Sequence, residues 1–125
     1  MINCRTVWTA DGKNNDEFDR FYKVVEQNFP SVSARAKKLS FGQGCFVYLI
    51  EGKDATKNIM LMSHHDVVEG SDEWATDPFK ATEKDGYLYG RGTIDTKTPL
   101  FAELQAAEEL LSEAEEVFRQ MISNF

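Results

Sequence analysis

The chain has 125 residues, of which 42% are hydrophobic and 28% charged, a composition typical of one soluble globular domain rather than a disordered chain. Its net charge of -7 argues against nucleic acid or an anionic membrane as partner, and it lacks the roughly 20-residue apolar stretch of a membrane span. Because no signal-like apolar core opens the chain, and Cys4 and Cys45 form no CxxC pair, we expect a cytoplasmic protein with two isolated, buried thiols.

The first predicted element is an amphipathic helix. Residues 10–16 are predicted to form a loop in which Asn15 or Asp16 caps the helix that follows. Pro30 is predicted to stop this helix, because proline cannot continue an α-helical hydrogen-bond pattern. Apolar side chains recur on one helical face: Phe18, Phe21, Tyr22, Val25 and Phe29.

Strands are predicted in the middle of the chain. Residues 34–39 can form one strand, and Gly42 and Gly44 mark the turn after it. The segment "CFVYLIEG" (45–52) is rich in β-branched and aromatic residues and predicts a second strand. The segment "NIMLMS" (58–63) is almost continuously apolar, which is typical of a strand buried on both faces.

A long loop and a final helix follow. The loop contains a short strand signal at 87–89, after a turn at Asp85 and Gly86. Thr98 is predicted to cap the final helix, with Pro99 in its first turn, and the helix either runs to about residue 122 or breaks near Ser112. The order of elements predicts an α/β layered domain. Steps of four and three define an apolar seam on the helix: Leu100, Leu104, Ala107, Leu111, Ala114, Phe118 and Met121.

The residues with chemical potential lie at the two ends of this loop. His64 and His65, the only histidines, directly follow the apolar run and precede Asp66. A histidine beyond a strand end can give one ring nitrogen to a metal while a carboxylate accepts a hydrogen bond from the other. Asp95, at the end of the glycine-containing segment 86–94, can bridge metal ions. Taken singly, a structural histidine and a helix-capping aspartate are the commoner explanations.

Taken together, "HHDVV", "W..DPF" and "DGYLYGRGTIDTK" form an ordered set that resembles one known family. The chain resembles the zinc-dependent exopeptidases and amidohydrolases that include carboxypeptidase S, aminoacylase and succinyl-diaminopimelate desuccinylase, with the carboxypeptidase S branch most similar. The resemblance covers about residues 2–111. It implies an α/β fold, namely part of a three-layer α/β/α catalytic domain with a mixed sheet. It also implies two zinc ions and hydrolysis of the amide bond of small peptides or N-acyl amino acids.

The resemblance implies a role for each matching residue. His64 matches a ligand of one zinc ion, and Asp95 matches the carboxylate that bridges the two ions. Asp66 matches the catalytic-site aspartate that supports the histidine, whereas His65 falls on a variable position and is not expected to bind metal. The remaining matches imply structural roles in the loop and beside the site: Trp74, Pro78, Phe79, Arg91 and Lys97.

The chain also departs from the family pattern. Glu69 stands where proline is common, and Thr98 and Pro99 replace a usual glycine, so the helix can start differently. The family's glutamate pair, which supplies the general base and a zinc ligand, is not matched. The acidic pairs at 108–109 and 115–116 lie within a helical pattern and are predicted to be solvated helix faces. Residues 112–125 are a divergent helical tail.

We therefore expect residues 1–125 to form a single partial catalytic domain, cut at both ends and without a lid or dimerisation domain. Such a chain would hold one zinc ion or none and would have little or no hydrolase activity, because catalytic zinc sites typically use three protein ligands. One alternative is an inactive remnant that folds or binds partners through the 99–122 helix, including as a homodimer. Another is a weak metal-binding protein.

Overall fold

The computed structural model describes residues 1–41, 44–70 and 73–123, without the side chains of 115, 117–119 and 121–123. The described segments form helices and two small antiparallel sheets, compatible with an α/β composition, and not one mixed sheet. No helix in these segments combines the length and apolarity needed to cross a bilayer. The elements are α1 (Asn15–Asn28), α2 (Pro30–Arg35), β1 (Lys37–Ser40), β2 (Phe46–Leu49), β3 (Thr82–Lys84), β4 (Tyr87–Tyr89) and α3 (Lys97–Ser123).

The chain folds into two compact units. The first comprises Met1–Val25 and Met62–Phe101, and the second comprises residues 26–61 and the described residues from 102 onward. The core of the first unit includes Phe21 at 1% exposure, and that of the second includes Phe29 and Val32 at 1% each. The single partial catalytic domain stays a prediction.

Helix α1 is confirmed together with its buried face. Phe18, Phe21, Tyr22 and Val25 are all buried, while the predicted fifth residue of the face, Phe29, is buried just beyond the helix end. Pro30 ends α1 as predicted and also opens α2, because proline is well suited to the first helical position. Residues 34 and 35 therefore belong to α2, and β1 begins at 37 rather than 34.

The sequence predicts both strands of the first hairpin, but only the turn and the second strand of the other. β1 pairs antiparallel with β2, with Lys37 opposite Leu49, and β2 is shorter than the predicted 45–52 strand. The predicted turn at Asp85 and Gly86 is confirmed, with φ of 53° and 78°, the left-handed values of a tight hairpin turn. The turn joins β4 to β3, whose mostly polar sequence carries no strand signal.

The prediction of a buried strand at 58–63 is wrong. This segment has no regular secondary structure, and its exposed fractions are 91% for Ile59, 81% for Met60, 65% for Leu61 and 81% for Met62. A strand buried on both faces needs pairing strands and a covering layer on each side. None of β1 to β4 pairs with this segment, so its apolar composition alone does not produce a strand.

Helix α3 is continuous, without a break at Ser112. It begins at Lys97, so Thr98 is not the N-cap; the Thr98 hydroxyl instead donates to the carbonyl of Thr93. The predicted seam is half-buried at Leu100, Leu104, Ala107 and Leu111 and exposed at Ala114, whereas the side chains of 118 and 121 lie outside the described residues. The homodimer through this helix stays a prediction.

The thiol prediction is confirmed for one cysteine only. Both cysteines are free, and Cys4 is buried, but Cys45 is exposed. Cys45 directly precedes β2, in the connection between β1 and β2, and lies outside the core of the second unit. A small apolar side chain in a strand-like sequence therefore does not ensure burial when the hairpin is thinly covered.

Glu108 corrects the prediction that the 108–109 pair is a solvated helix face. Its two carboxylate oxygens accept hydrogen bonds from the backbone N–H groups of Ser31 at 2.8 Å and Val32 at 2.9 Å. These N–H groups lie in the first turn of α2 and have no intrahelical partner. Glu109 is exposed as predicted and accepts a hydrogen bond from Gln105 on the same helix.

We expect Glu108→Gln to lower the free energy of unfolding by about 1 kcal/mol, the usual contribution of a helix cap. Burial alone would raise the pKa of Glu108, but the hydrogen bonds from the backbone of Val32 and from the backbone and side chain of Ser31 together hold the pKa below its ordinary value. The stabilisation is therefore present above the unfolded-state pKa and is lost as pH falls through the folded-state pKa. Urea unfolding at neutral and acidic pH measures this, with Glu109→Gln as the matched control. Equal stability of the two variants at neutral pH would contradict the capping role.

Candidate active site

The backbone at His64 and His65 is held by hydrogen bonds from two distant segments. The hydroxyl of Thr6 donates to the His65 carbonyl at 2.5 Å, and the hydroxyl of Thr96 donates to the His64 carbonyl at 2.5 Å. Val67 adds a parallel bridge to Val7, with its N–H donating to the Thr6 carbonyl at 2.9 Å. The N-terminal segment and the loop before α3 therefore fix the position of the histidine pair.

His64 lies between the two carboxylates that the sequence singled out. Its Nε2 is 2.9 Å from Oδ1 of Asp95, a residue 31 positions away. Its Nδ1 is 3.0 Å from the backbone oxygen of Asp66 and 3.3 Å from Oδ1 of the same residue. The hydrogen bond to Asp95 is the main cause that raises the pKa of His64, with Asp66 adding to it against partial burial. The structure thus brings all three predicted site residues together, and their roles stay predictions.

The donors around His64 match zinc in type but not in number. An imidazole nitrogen and a carboxylate oxygen are common zinc ligands, and a carboxylate on the other ring nitrogen is the usual support for such a histidine. Within the described ranges, no group of three or more His, Cys, Asp or Glu side chains is arranged to hold an ion. The described residues therefore offer two ligands, one fewer than a catalytic zinc site typically has.

His65 has a different environment from its neighbour. Its ring stacks on Phe21 with centroids 4.8 Å apart and packs edge-on against Phe18 and Tyr22. Burial lowers the pKa of His65 to about 4, so the ring is neutral at pH 7. Nε2 can then accept a hydrogen bond from the Tyr22 hydroxyl, at 2.7 Å. The pair thus consists of one histidine among carboxylates and one in the aromatic core.

The segment from Gly90 to Asp95 packs closely on the site. Gly92 has φ of 86°, and a Cβ atom there would lie 2.9 Å from Cγ1 of Val67, so both conformation and space favour glycine. The guanidinium of Arg91 lies 4.9 Å from the centre of the Trp74 ring and donates to the Glu69 carbonyl at 3.1 Å. These contacts are compatible with the structural roles predicted for Arg91 and Trp74.

Lys97 is a buried cation beneath the site. It is 1% exposed, and its Nζ donates to the Cys4 carbonyl at 2.8 Å and lies 5.5 Å from the centre of the Phe21 ring. Burial lowers the pKa of Lys97 to about 8, which still leaves the amine mostly protonated at pH 7. The lysine ties the start of α3 to the N-terminal segment, a contact that no local sequence pattern indicates.

A cavity of about 650 Å³ opens beside His64. Both tryptophans of the chain line it, as do the three predicted site residues and Arg91. Trp8, Val68 and Ile94 also line it and are 66%, 69% and 86% exposed, so the cavity has apolar as well as ionisable walls. Trp8 was not among the predicted site residues, because it lies more than 50 residues from the motifs in sequence.

Comparisons with known proteins match the chain to one peptidase family and to several relatives. Residues 60–119 match the model of peptidase family M20/M25/M40. The human "N-fatty-acyl-amino acid synthase/hydrolase PM20D1" is 33% identical over 108 residues, which are 83% of this chain and 22% of that protein. "Probable carboxypeptidase S-like 2" of Dictyostelium discoideum is 36% identical over 123 residues, 90% of this chain and 24% of that protein. "Putative carboxypeptidase YOL153C" of Saccharomyces cerevisiae is 33% identical over 119 residues, which are 90% of this chain and 20% of that protein.

The chain therefore spans between a fifth and a quarter of the length of these relatives. No solved structure matches it significantly.

Proposed function

Since the chain belongs to peptidase family M20/M25/M40, we propose that it carries one part of the zinc site of a peptidase or amidohydrolase. In this proposal His64 is a ligand of one zinc ion, Asp95 bridges two ions in the complete site, and Asp66 supports His64. The complete site would lie in a three-layer α/β/α domain. The 125 residues alone would hold at most one ion weakly and would have little or no hydrolase activity.

The observation that carries the proposal is the position of His64 between two carboxylates. Asp66 faces Nδ1, where a carboxylate fixes the orientation of the ring and leaves Nε2 for a metal. Asp95 faces Nε2 at 2.9 Å, a separation compatible with two donors that share one ion. A proton occupies the place between Nε2 and Asp95 when no ion is bound, so zinc and this proton compete.

The chemistry follows from this arrangement. A zinc ion held by His64 and Asp95 would supply Lewis acidity, for a coordinated water and for the amide carbonyl of the substrate. This chain contributes the imidazole of His64, kept in one orientation by Asp66, and a carboxylate at Asp95. The glutamate general base of the family pattern has no counterpart in the chain. Glu108 does not take this role, because its carboxylate caps helix α2.

The substrate we propose is a small peptide or an N-acyl amino acid. The relatives include an N-fatty-acyl-amino acid synthase/hydrolase and a probable carboxypeptidase S-like protein. N-acyl amino acids and peptides share an amide bond and a free carboxylate. The cavity supports this class because apolar side chains of Trp8, Val68 and Ile94 line it together with His64. An acyl chain or apolar amino-acid side chain can be buried there.

Zinc titration calorimetry tests the metal site. We expect the unmodified chain to bind zinc, and His64→Ala and Asp95→Asn to weaken that binding by about tenfold or more. Asp19→Asn is the matched control, because it removes an exposed carboxylate of α1 and should leave zinc affinity unchanged. Equal zinc affinity in the unmodified chain and His64→Ala would contradict the site. A zinc-dependent turnover of an N-acyl amino acid by the pure chain would contradict its inactivity.

A further inference from the structure

Three consecutive apolar residues, Ile59, Met60 and Leu61, lie uncovered at the end of the second unit's first segment. Each of them is at least 65% exposed. In an extended chain, neighbouring side chains point to opposite faces, so this segment presents apolar surface in more than one direction. Contiguous exposed apolar residues of this kind mark interaction sites more often than single ones do.

The backbone of the same segment is also without partners. Among the described residues, none of the N–H and C=O groups of residues 59–61 forms a backbone hydrogen bond, and none of β1 to β4 pairs with them. Unpaired backbone groups beside apolar side chains are a template for the addition of a strand from another chain. Such a strand would satisfy these groups and cover the side chains at the same time.

Composition and charge favour a second copy of the chain as the source of that strand. Residues 58–63 contain no charged residue, no glycine and no proline. The chain carries a net charge of -7, so two copies repel each other across most of their surface but not at this segment. Short apolar segments without charge or proline are those that pair with identical segments.

We propose that two copies of the chain associate by antiparallel pairing of their 59–61 segments. A two-fold axis at Met60 places Met60 opposite Met60, and Ile59 of one copy opposite Leu61 of the other. Lys57 of one copy then lies opposite Ser63 of the other, so the two lysines do not meet. Because the interface is small, we expect weak association, with a Kd on the order of 10–100 µM. The pairing uses neither the metal site nor helix α3.

Sedimentation velocity tests this association in the unmodified 125-residue chain. Between about 5 and about 500 µM, the average mass should rise from one chain towards two. A reductant is present throughout, because the exposed Cys45 could otherwise link two copies through a disulfide. Added salt should strengthen the association, since it screens the repulsion between two copies of net charge -7. A chain that stays monomeric at about 500 µM, or association that salt weakens, would overturn the proposal.

Charge substitutions at Met60 locate the contact. Met60→Lys and Met60→Glu each place like charges opposite one another, so each variant alone should associate at least about tenfold more weakly. An equimolar mixture brings opposite charges together and should recover the association. Leu110→Lys is the matched control: it makes the same change of net charge as Met60→Lys at an exposed apolar residue of α3, and it should leave association unchanged. Loss of association in Leu110→Lys, or a mixture that stays monomeric, would overturn the assignment to this segment.

Hydrogen exchange separates strand pairing from contact between side chains alone. The backbone amides of 59–61 should exchange several-fold more slowly at about 500 µM than at about 5 µM, and Met60→Lys should abolish this difference. Far-ultraviolet circular dichroism checks that each variant keeps its helices, as expected for substitutions at exposed residues. Unchanged exchange in a chain that dimerises would overturn the strand pairing.

Discussion

Phe21→Ala should lower the free energy of unfolding by about 3–5 kcal/mol, the range for removing a buried aromatic ring. Phe21 is 1% exposed and packs against His65 and Lys97, the two ionisable side chains beside it. Its ring stacks on His65 with centroids 4.8 Å apart, and Nζ of Lys97 lies 5.5 Å from its centre. The substitution therefore leaves a void and removes aromatic packing from the base of the candidate site. This is a large share of the total free energy of unfolding of a chain of ordinary stability.

Urea denaturation followed by circular dichroism measures this change. Phe41→Ala is the matched control, because Phe41 is 60% exposed and its truncation should cost less than about 1 kcal/mol. The two variants should differ in denaturation midpoint with similar slopes. If Phe21→Ala is as stable as Phe41→Ala, the aromatic cluster around His65 is not the core of the first unit.

The second large effect is expected at Lys97. Lys97→Ala should lower the free energy of unfolding by about 3 kcal/mol or more, because it empties buried volume and leaves the Cys4 carbonyl without this donor. Lys97→Met keeps the length of the side chain and removes only the donor and the charge. Its expected cost is about 1 kcal/mol, the usual net contribution of one hydrogen bond, because the Cys4 carbonyl still accepts from the Thr6 N–H at 3.0 Å.

The control for Lys97 is Lys23→Met, on the exposed face of α1, which should change stability by less than about 0.5 kcal/mol. Thermal and urea unfolding of the three variants separate packing from hydrogen bonding. If Lys97→Met unfolds at the same urea concentration as the unmodified chain, the bond to Cys4 contributes nothing, and only the hydrocarbon stem of Lys97 stabilises the fold.

The parts of the fold that the sequence predicted are those specified locally. The spacing of Phe18, Phe21, Tyr22 and Val25 specifies the buried face of α1, and Asp85-Gly86 specifies its turn through backbone conformation alone. The prediction of a strand at 58–63 was wrong, because burial of an apolar run depends on neighbouring strands, and a local sequence pattern does not show whether these are present.

The candidate site shows the same division between local and distant information. The proximity of His64 and Asp95 was expected only from the family resemblance, since 31 residues separate them. The contacts that position the site span still longer distances: 59 residues from Thr6 to His65 and 93 from Cys4 to Lys97. Glu108 likewise caps a helix 76 residues away. These contacts exist only in the folded chain, so the sequence around one residue of a pair does not predict which distant residue it will contact.

The discontinuous first unit has a consequence for the order of events during synthesis. Its two parts, Met1–Val25 and Met62–Phe101, are separated in sequence by the second unit's first segment. Helix α1 leaves the ribosome long before His65 and Lys97, the residues that cover its apolar face. At a synthesis rate of roughly 5–20 residues per second, the apolar face of α1 stays uncovered for seconds until these residues are made. The nascent chain therefore exposes Phe21 to chaperones or to other nascent chains until the site residues themselves have been made.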